Sequence, residues 1–263
     1  MQAMDKHAKP CGWTLVSLRP QGQHAALRDE FSGSRPFIIA LSPWRLRRSD
    51  DTHARQQLQQ ALQASRVLFT SPAAVTAAVA LDGLLQQAPV RPWLAVGAGT
   101  LRALHSAGFA HAVAPQRMDS EGLLALPALS DVQGQRVGLV TAPGGRGLIA
   151  AALQARGAQV LRADVYQRVP LRLNARTLSR LSHSPAPWLL AVSSGEALAR
   201  TWAQLSPAWR TRWLARMTVV VPSERLRAQA LTLGFLQVVL ADGPTAAQMA
   251  AACRHVPGAG GSA

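Results

Sequence analysis

Short unbroken apolar runs recur along this chain, separated by longer stretches in which apolar residues return every three or four positions. The runs are Trp13–Arg19, Arg66–Ser71, Trp93–Gly97, Arg136–Thr141, Leu161–Val169, Trp188–Ser194 and Thr218–Pro222. Continuous runs of this length predict parallel strands covered on both faces, and the intervening stretches predict helices. The helices fall near Gln23–Phe31, Pro72–Leu85, Thr100–Ala107, Leu123–Leu126, Gly147–Arg156, Gly195–Leu205 and Ser223–Leu233. Gly108 and Gly234 follow the last turn of a helix, where a residue without a Cβ takes the left-handed conformation that stops it.

The pattern is written twice. An apolar strand, two hydroxyl residues and a helix appear at Arg66–Leu85 and again at Trp188–Leu205. A strand, helix, glycine–phenylalanine stop and short strand appear at Trp93–Pro115 and again at Thr218–Ala241. Trp13–Arg19 and Arg136–Thr141 open the two halves. Thr70-Ser71 and Ser193-Ser194 are 123 residues apart, and Gly108-Phe109 and Gly234-Phe235 are 126 apart. Strand–helix alternation in duplicate predicts two doubly wound parallel-sheet domains. Taken alone, the duplication divides the chain near residue 130.

Composition adds an anion-binding bias. The 263 residues carry 28 Lys plus Arg against 13 Asp plus Glu, a formal net charge of +15, and Lys6 and Lys9 are the only lysines. Arginine forks suit carboxylates and phosphates, although an arginine-biased solvated surface gives the same count. The balance disfavours a cationic ligand. Cys11 and Cys253, the only cysteines, give neither a disulfide framework nor a metal-binding spacing, and read as free thiols of a reducing compartment. The N-terminus lacks an apolar signal core, and Arg, Pro or Gly interrupts every apolar run before it reaches a membrane span. A cytoplasmic protein without membrane attachment is expected. The seven histidines show no zinc-site spacing and the acids are unclustered, so no metal is expected.

In open parallel sheets ligands bind beyond the C-terminal strand ends, so the residues leaving the strands are the candidates. Thr70, Ser71 and Pro72 leave one strand, and Ser193, Ser194 and Gly195 leave its duplicate. Each set reads either as a plain helix cap or as an anion site at a helix start. Gly97–Thr100 is a small loop without the dinucleotide fingerprint, which argues against NAD, and Pro143–Gly147 lacks the ending of a nucleotide P-loop. Within that second loop, after Gly144 and Gly145, Arg146 stands at a helix start as a credible carboxylate clamp. Ser120 reads as the cap of the helix that follows it. Ser223 reads as a cap or a ligand donor. Tyr166, the only tyrosine, supplies a phenol suited to proton or hydrogen-bond donation, or packs at a boundary. No nucleophile elbow or acid–base dyad is evident.

The order Phe69–Pro72, Val96–Thr100, Ser120–Leu123, Gly144–Arg146, Val165–Arg168, Ser193-Ser194 and Val221–Ser223 resembles the uroporphyrinogen-III synthase family over roughly Gly12–Ala252. The resemblance implies two doubly wound α/β domains joined by a two-stranded linker, with a cleft between them. One domain would hold residues 1–40 and 170–263 and the other 41–169, with Phe37–Leu41 and Val165–Val169 as the connecting ladder. It also implies a cofactor-free, cyclising hydro-lyase of porphyrin and haem biosynthesis. Its substrate is hydroxymethylbilane, a linear tetrapyrrole with eight carboxylate arms, which closes with inversion of ring D and loss of water. The same likeness gives Tyr166 the role of assisting departure of the hydroxyl. It gives Ser71, Ser193 and Ser223, with Thr70, Ser194, Thr100 and Gly144–Arg146, the role of holding the substrate. A monomer, in transient contact with hydroxymethylbilane synthase, is the implied state. Gly147 departs from the acidic residue frequent at this place and predicts a looser helix start. The competing reading is a non-catalytic module for an anionic ligand or nucleic acid. The arginine content favours it, and the lack of an aromatic-and-basic platform for single strands opposes it.

Overall fold

The apolar runs become strands because they bury both faces, and the periodic stretches become the helices that cover them. The computed structural model describes residues 12–33, 36–81, 92–117, 119–144 and 147–259. Its strands in chain order are β1 (Thr14–Leu18), β2 (Phe37–Leu41), β3 (Trp44–Arg48), β4 (Arg66–Phe69), β5 (Trp93–Ala95), β6 (Arg136–Thr141), β7 (Gln159–Asp164), β8 (Tyr166–Pro170), β9 (Trp188–Val192), β10 (Met217–Val221) and β11 (Gln237–Leu240). The helices are α1 (Ala25–Asp29), α2 (Thr52–Leu62), α3 (Pro72–Leu81), α4 (Ala98–Ser106), α5 (Ser120–Leu124), α6 (Leu148–Ala155), α7 (Ala175–Ser182), α8 (Gly195–Gln204), α9 (Pro207–Arg216), α10 (Glu224–Thr232) and α11 (Ala246–Arg254).

The chain divides into two compact units, Met1–Arg45 with Pro170–Ala263, and Leu46–Val169. In the Leu46–Val169 unit the sheet order is β5-β4-β6-β7, and Val113 bridges Leu94 on the far side of β5. In the other unit it is β11-β10-β9-β1-β2. Every pairing in both sheets is parallel. The orders correspond strand for strand: β4 with β9, β5 with β10, β6 with β1, β7 with β2, and the Val113 bridge with β11. All but the β7–β2 pair are partners that the sequence repeat associates.

Two fully buried strands, β1 and β9, lie side by side in the larger sheet, with Thr14 against Trp188 and Leu18 against Val192. A core of Trp13, Leu27, Phe31, Met249 and Cys253 packs with Leu15 and Leu189 on that sheet, and Trp13 meets Phe31 edge-on at 5.7 Å. In the smaller sheet α2 turns Ala54, Leu58 and Ala61 inward at helical spacing against β6 and β7. Burying a leucine such as Leu58 fully contributes about 2 kcal/mol. The helix comes so close that a Cβ on Gly138 would lie 2.2 Å from the Ala61 carbonyl oxygen, which is why β6 carries a glycine at its centre. Trp93 links the far side, 4.4 Å from Phe109 and 6.0 Å from Phe69.

Several expectations are corrected. Phe37–Leu41 does not form the connecting ladder: this continuous apolar strand pairs with β1 at the sheet edge. The two-stranded ladder is β3 with β8. β3 alternates Trp44 and Leu46 with arginines, which suits a strand with one solvated face. The compact units divide after Arg45 and after Val169. Leu161–Val169 is not one strand. At Val165 the chain leaves β7 and enters β8, with its N–H donating to Thr141 O at 3.0 Å and its carbonyl accepting from Ser49 N at 3.0 Å. The first helix is shorter than Gln23–Phe31, covering Ala25–Asp29. Ser120 is not the cap of α5: Asp119 is, accepting from Gly122 N at 2.8 Å, because its carboxylate also suits the positive helix end. The Pro72–Leu85 helix is seen to Leu81, and residues 82–85 lie outside the described residues, as does Cys11.

Candidate functional site

At the C-terminal mouth of the smaller sheet, β4 and β6 are neighbours, with Phe69 opposite Val140. The residues that follow are therefore brought together. Thr70 Oγ1 lies 2.7 Å from Thr141 Oγ1. Ser71 Oγ lies 3.1 Å from Tyr166 Oη and also accepts from Ala74 N at 3.1 Å, capping α3. Tyr166 begins β8 with its ring buried in the core, so the phenol is fixed by packing while its hydroxyl reaches the serine. Arg162 forks onto Asp164, with Nη2 to Oδ1 at 2.9 Å, and donates to Ala142 O at 2.9 Å.

These groups line a pocket of about 170 Å³ together with Ser120, Gly144, Gly147 and Arg168. A drug-sized ligand needs roughly 300 Å³ or more, so this volume suits one ring or one acidic arm of a larger molecule. Gly147 precedes α6 with φ of 65° and caps no N–H with a side chain, which leaves the first turn of that helix open to an anion. The pocket thus offers hydroxyls, guanidinium groups and backbone N–H groups to negative charge.

Thr70, Ser71, Gly144 and Tyr166 are brought together around this pocket. Gly145 and Arg146 lie outside the described residues. Thr100 sits buried in the first turn of α4 and does not line the pocket. Ser193, Ser194 and Ser223 belong to the other unit, after β9 and β10. Ser194 caps α8 through Ala197 N at 3.4 Å, and Ser223 caps α10 through Leu226 N at 3.5 Å. Sequence reasoning passed over Thr141, Arg162 and Arg168. The strand-end rule that found Thr70 applies equally to Thr141, the last residue of the neighbouring strand. Arg162 and Asp164, two apart on one strand, share a face.

In the larger unit, His24 is buried with Nδ1 3.0 Å from Ser17 Oγ and Nε2 2.9 Å from Ser42 Oγ. Burial first, then the charges of Arg19 and Arg28, push its pKa down to about 4. Burial likewise pushes the Cys253 thiol up to about 12, which makes it a core residue and not a nucleophile. Among the described residues no cluster of three His, Cys, Asp or Glu could hold a metal, and no helix is long and apolar enough to cross a membrane.

A family model described as uroporphyrinogen-III synthase HemD matches residues 36–251. The chain is 38% identical over 157 residues to the uroporphyrinogen-III synthase of Salmonella typhimurium, covering 59% of this chain and 63% of that protein. It is 34% identical over 151 residues to the uroporphyrinogen-III synthase of Escherichia coli, covering 57% and 61%. The chain thus spans less than two thirds of the length of these relatives. Among solved structures, a mutant uroporphyrinogen III synthase from Thermus thermophilus superposes with a TM-score of 0.56 at 19% identity, over 86% of this chain and 92% of that one. Uroporphyrinogen-III synthetase from Helicobacter pylori 26695 gives 0.56 at 15%, over 89% and 94%. At such identity the structural likeness speaks for the fold alone.

Proposed function

This chain belongs to the uroporphyrinogen-III synthase family, and we propose that it converts hydroxymethylbilane to uroporphyrinogen III with inversion of ring D and loss of water. The observation that carries the reading is the pairing of Ser71 with Tyr166 at 3.1 Å on the wall of a small pocket furnished with anion donors. Ser71 Oγ accepts from the first turn of α3, so its own proton is free to go to Tyr166 Oη. Tyr166 then directs its proton outward, onto the hydroxyl that leaves the bilane. A hydrogen bond there stabilises charge as it develops on the departing oxygen, and the helix N–H behind the serine strengthens the relay.

The substrate supplies the rest of the push. Its pyrrole nitrogen expels the hydroxyl and leaves an electrophilic azafulvene. The substituted carbon of ring D attacks to give a spiro intermediate, and bond breakage with reclosure inverts the ring. In this reading the chain wins by orientation: it holds the floppy bilane so that direct, non-inverted closure is slower. The Thr70–Thr141 pair, Arg168 and the open start of α6 hold arms of the substrate, and Ser193, Ser194 and Ser223 are further candidates for that role. The scheme draws on no metal or organic cofactor.

The test is a coupled reaction in which porphobilinogen and hydroxymethylbilane synthase supply the bilane and the oxidised porphyrin isomers are separated. Type III isomer in excess is expected with the chain present. Type I alone, with or without the chain, contradicts the proposal.

A further inference from the structure

Arg19 is the first residue beyond β1, and its N–H donates to Leu41 O at 3.2 Å, which fixes the chain at the C-terminal mouth of the larger sheet. Leu18 stands opposite Leu41 on one side and Val192 on the other, so Arg19 comes level with Ser42 and Ser193. In the smaller sheet the corresponding residue is Thr141, which lines the pocket there and meets Thr70. Arg19 therefore occupies the place that carries a pocket hydroxyl in the duplicate unit.

Its side chain is unlike the other arginines of the site. Nε and Nη2 are both buried with no hydrogen-bond partner among the described residues. Arginine stays charged, so it cannot escape this cost by giving up a proton. Two desolvated donors on a cation are strongly unfavourable unless something accepts from them. Arg162, by contrast, is satisfied by Asp164 and Ala142 O. His24, whose pKa Arg19 helps to lower, spends both ring nitrogens on Ser17 and Ser42 and offers Arg19 no negative charge. An unpaired guanidinium at a strand end is unfavourable in the free protein until an acceptor reaches it.

We propose that Arg19 is the carboxylate-binding residue of the five-stranded sheet, its side chain shifting to donate to one acidic group of the ligand beside Ser193 and Ser42. That the ligand is the bilane rests on the proposed function. The binding of a carboxylate does not, and the two are tested apart.

Thermal unfolding of the full chain is compared for wild type and Arg19→Gln, each with and without citrate as a pyrrole-free polycarboxylate. The variant is expected to melt about 3 °C higher without ligand, since it removes an unpaired buried charge. Citrate is expected to raise the wild-type midpoint more than the variant's. A variant that melts lower, or that gains as much from citrate as wild type, overturns the proposal. In the coupled reaction Arg19→Gln is expected to raise KM about tenfold with kcat within about twofold, the mark of lost binding and not lost chemistry. Unchanged KM in an active wild-type enzyme overturns the role in substrate binding and leaves the proposed function standing. Absence of type III isomer from wild type removes that function, while the melting comparison still decides whether Arg19 holds a carboxylate.

Discussion

The two sheets share one strand order but finish differently at their C-terminal ends. In the smaller sheet the end groups are matched to one another: Thr70 with Thr141, Ser71 with Tyr166, Arg162 with Asp164. In the larger sheet, Arg19 keeps two buried nitrogens without a hydrogen-bond partner among the described residues, and His24 lies between two serines. Equivalent positions have thus diverged toward different physical states. A matched mouth keeps its geometry without ligand, which suits the hydrogen bond that must be aimed at a leaving group. An unmatched one has more to gain from a ligand's charge, which suits grip. The duplication supplied the same frame twice, and the side chains at its two ends differ.

The comparison breaks most severely where the frames themselves are attacked. Gly138→Ala would set a Cβ 2.2 Å from the backbone oxygen of Ala61, which only movement of α2 relieves, so a loss of about 3 kcal/mol is expected in chemical denaturation. In the other unit Gly195→Ala meets Gln229 Oε1 at the same 2.2 Å, but this is the end of a flexible side chain. Only its hydrogen bond to Gly195 O is at risk, and about 1 kcal/mol is expected. Equal losses from the two would mean that α2 is not the rigid neighbour described.

Next in size is the proton-linked effect at His24. Its folded pKa, about 4, lies below the ordinary 6.5, so between these values the unfolded chain binds the proton more readily. Stability tied to the neutral ring is complete above about pH 6.5 and is lost as pH falls toward 4, by about 2 kcal/mol after solvent screening. Denaturation across that window should show a shallower slope for His24→Gln than for wild type, and identical slopes would remove the assignment. Smaller again is Tyr166→Phe. It leaves the ring packed and Ser71 capping α3, so folding should change by less than about 1 kcal/mol while kcat falls about tenfold. Unchanged turnover would remove the phenol from the mechanism.

Much of this was legible beforehand because it follows from periodicity. Continuous apolar runs announced parallel strands, and their duplication announced the paired sheets. Thr70, Ser71 and Tyr166 were visible as hydroxyls leaving strands or as a unique phenol. What stayed hidden depends on register. That Thr141 lies level with Thr70, or Arg19 with Ser193, is set by which strands become neighbours, and no single run of residues records it. The ladder differs for a related reason: Phe37–Leu41 and Trp44–Arg48 are adjacent segments, and the apolar one is not the linker. Only the alternation of arginine in the second marks it as the solvated strand. Asp119 displaced Ser120 as the cap of α5 because both are good caps one residue apart, and local propensity does not separate them.

The most direct test of the account is the isomer composition of the coupled reaction run side by side with wild type, Tyr166→Phe and Arg19→Gln, one substitution for each mouth. Type III porphyrin should dominate with wild type, and each variant at equal concentration should shift the product toward type I as spontaneous closure overtakes the slowed enzyme. A wild-type chain that yields only type I, or two variants that both match wild type in their type III fraction, would contradict the proposal that Tyr166 and Arg19 serve the inverted ring closure.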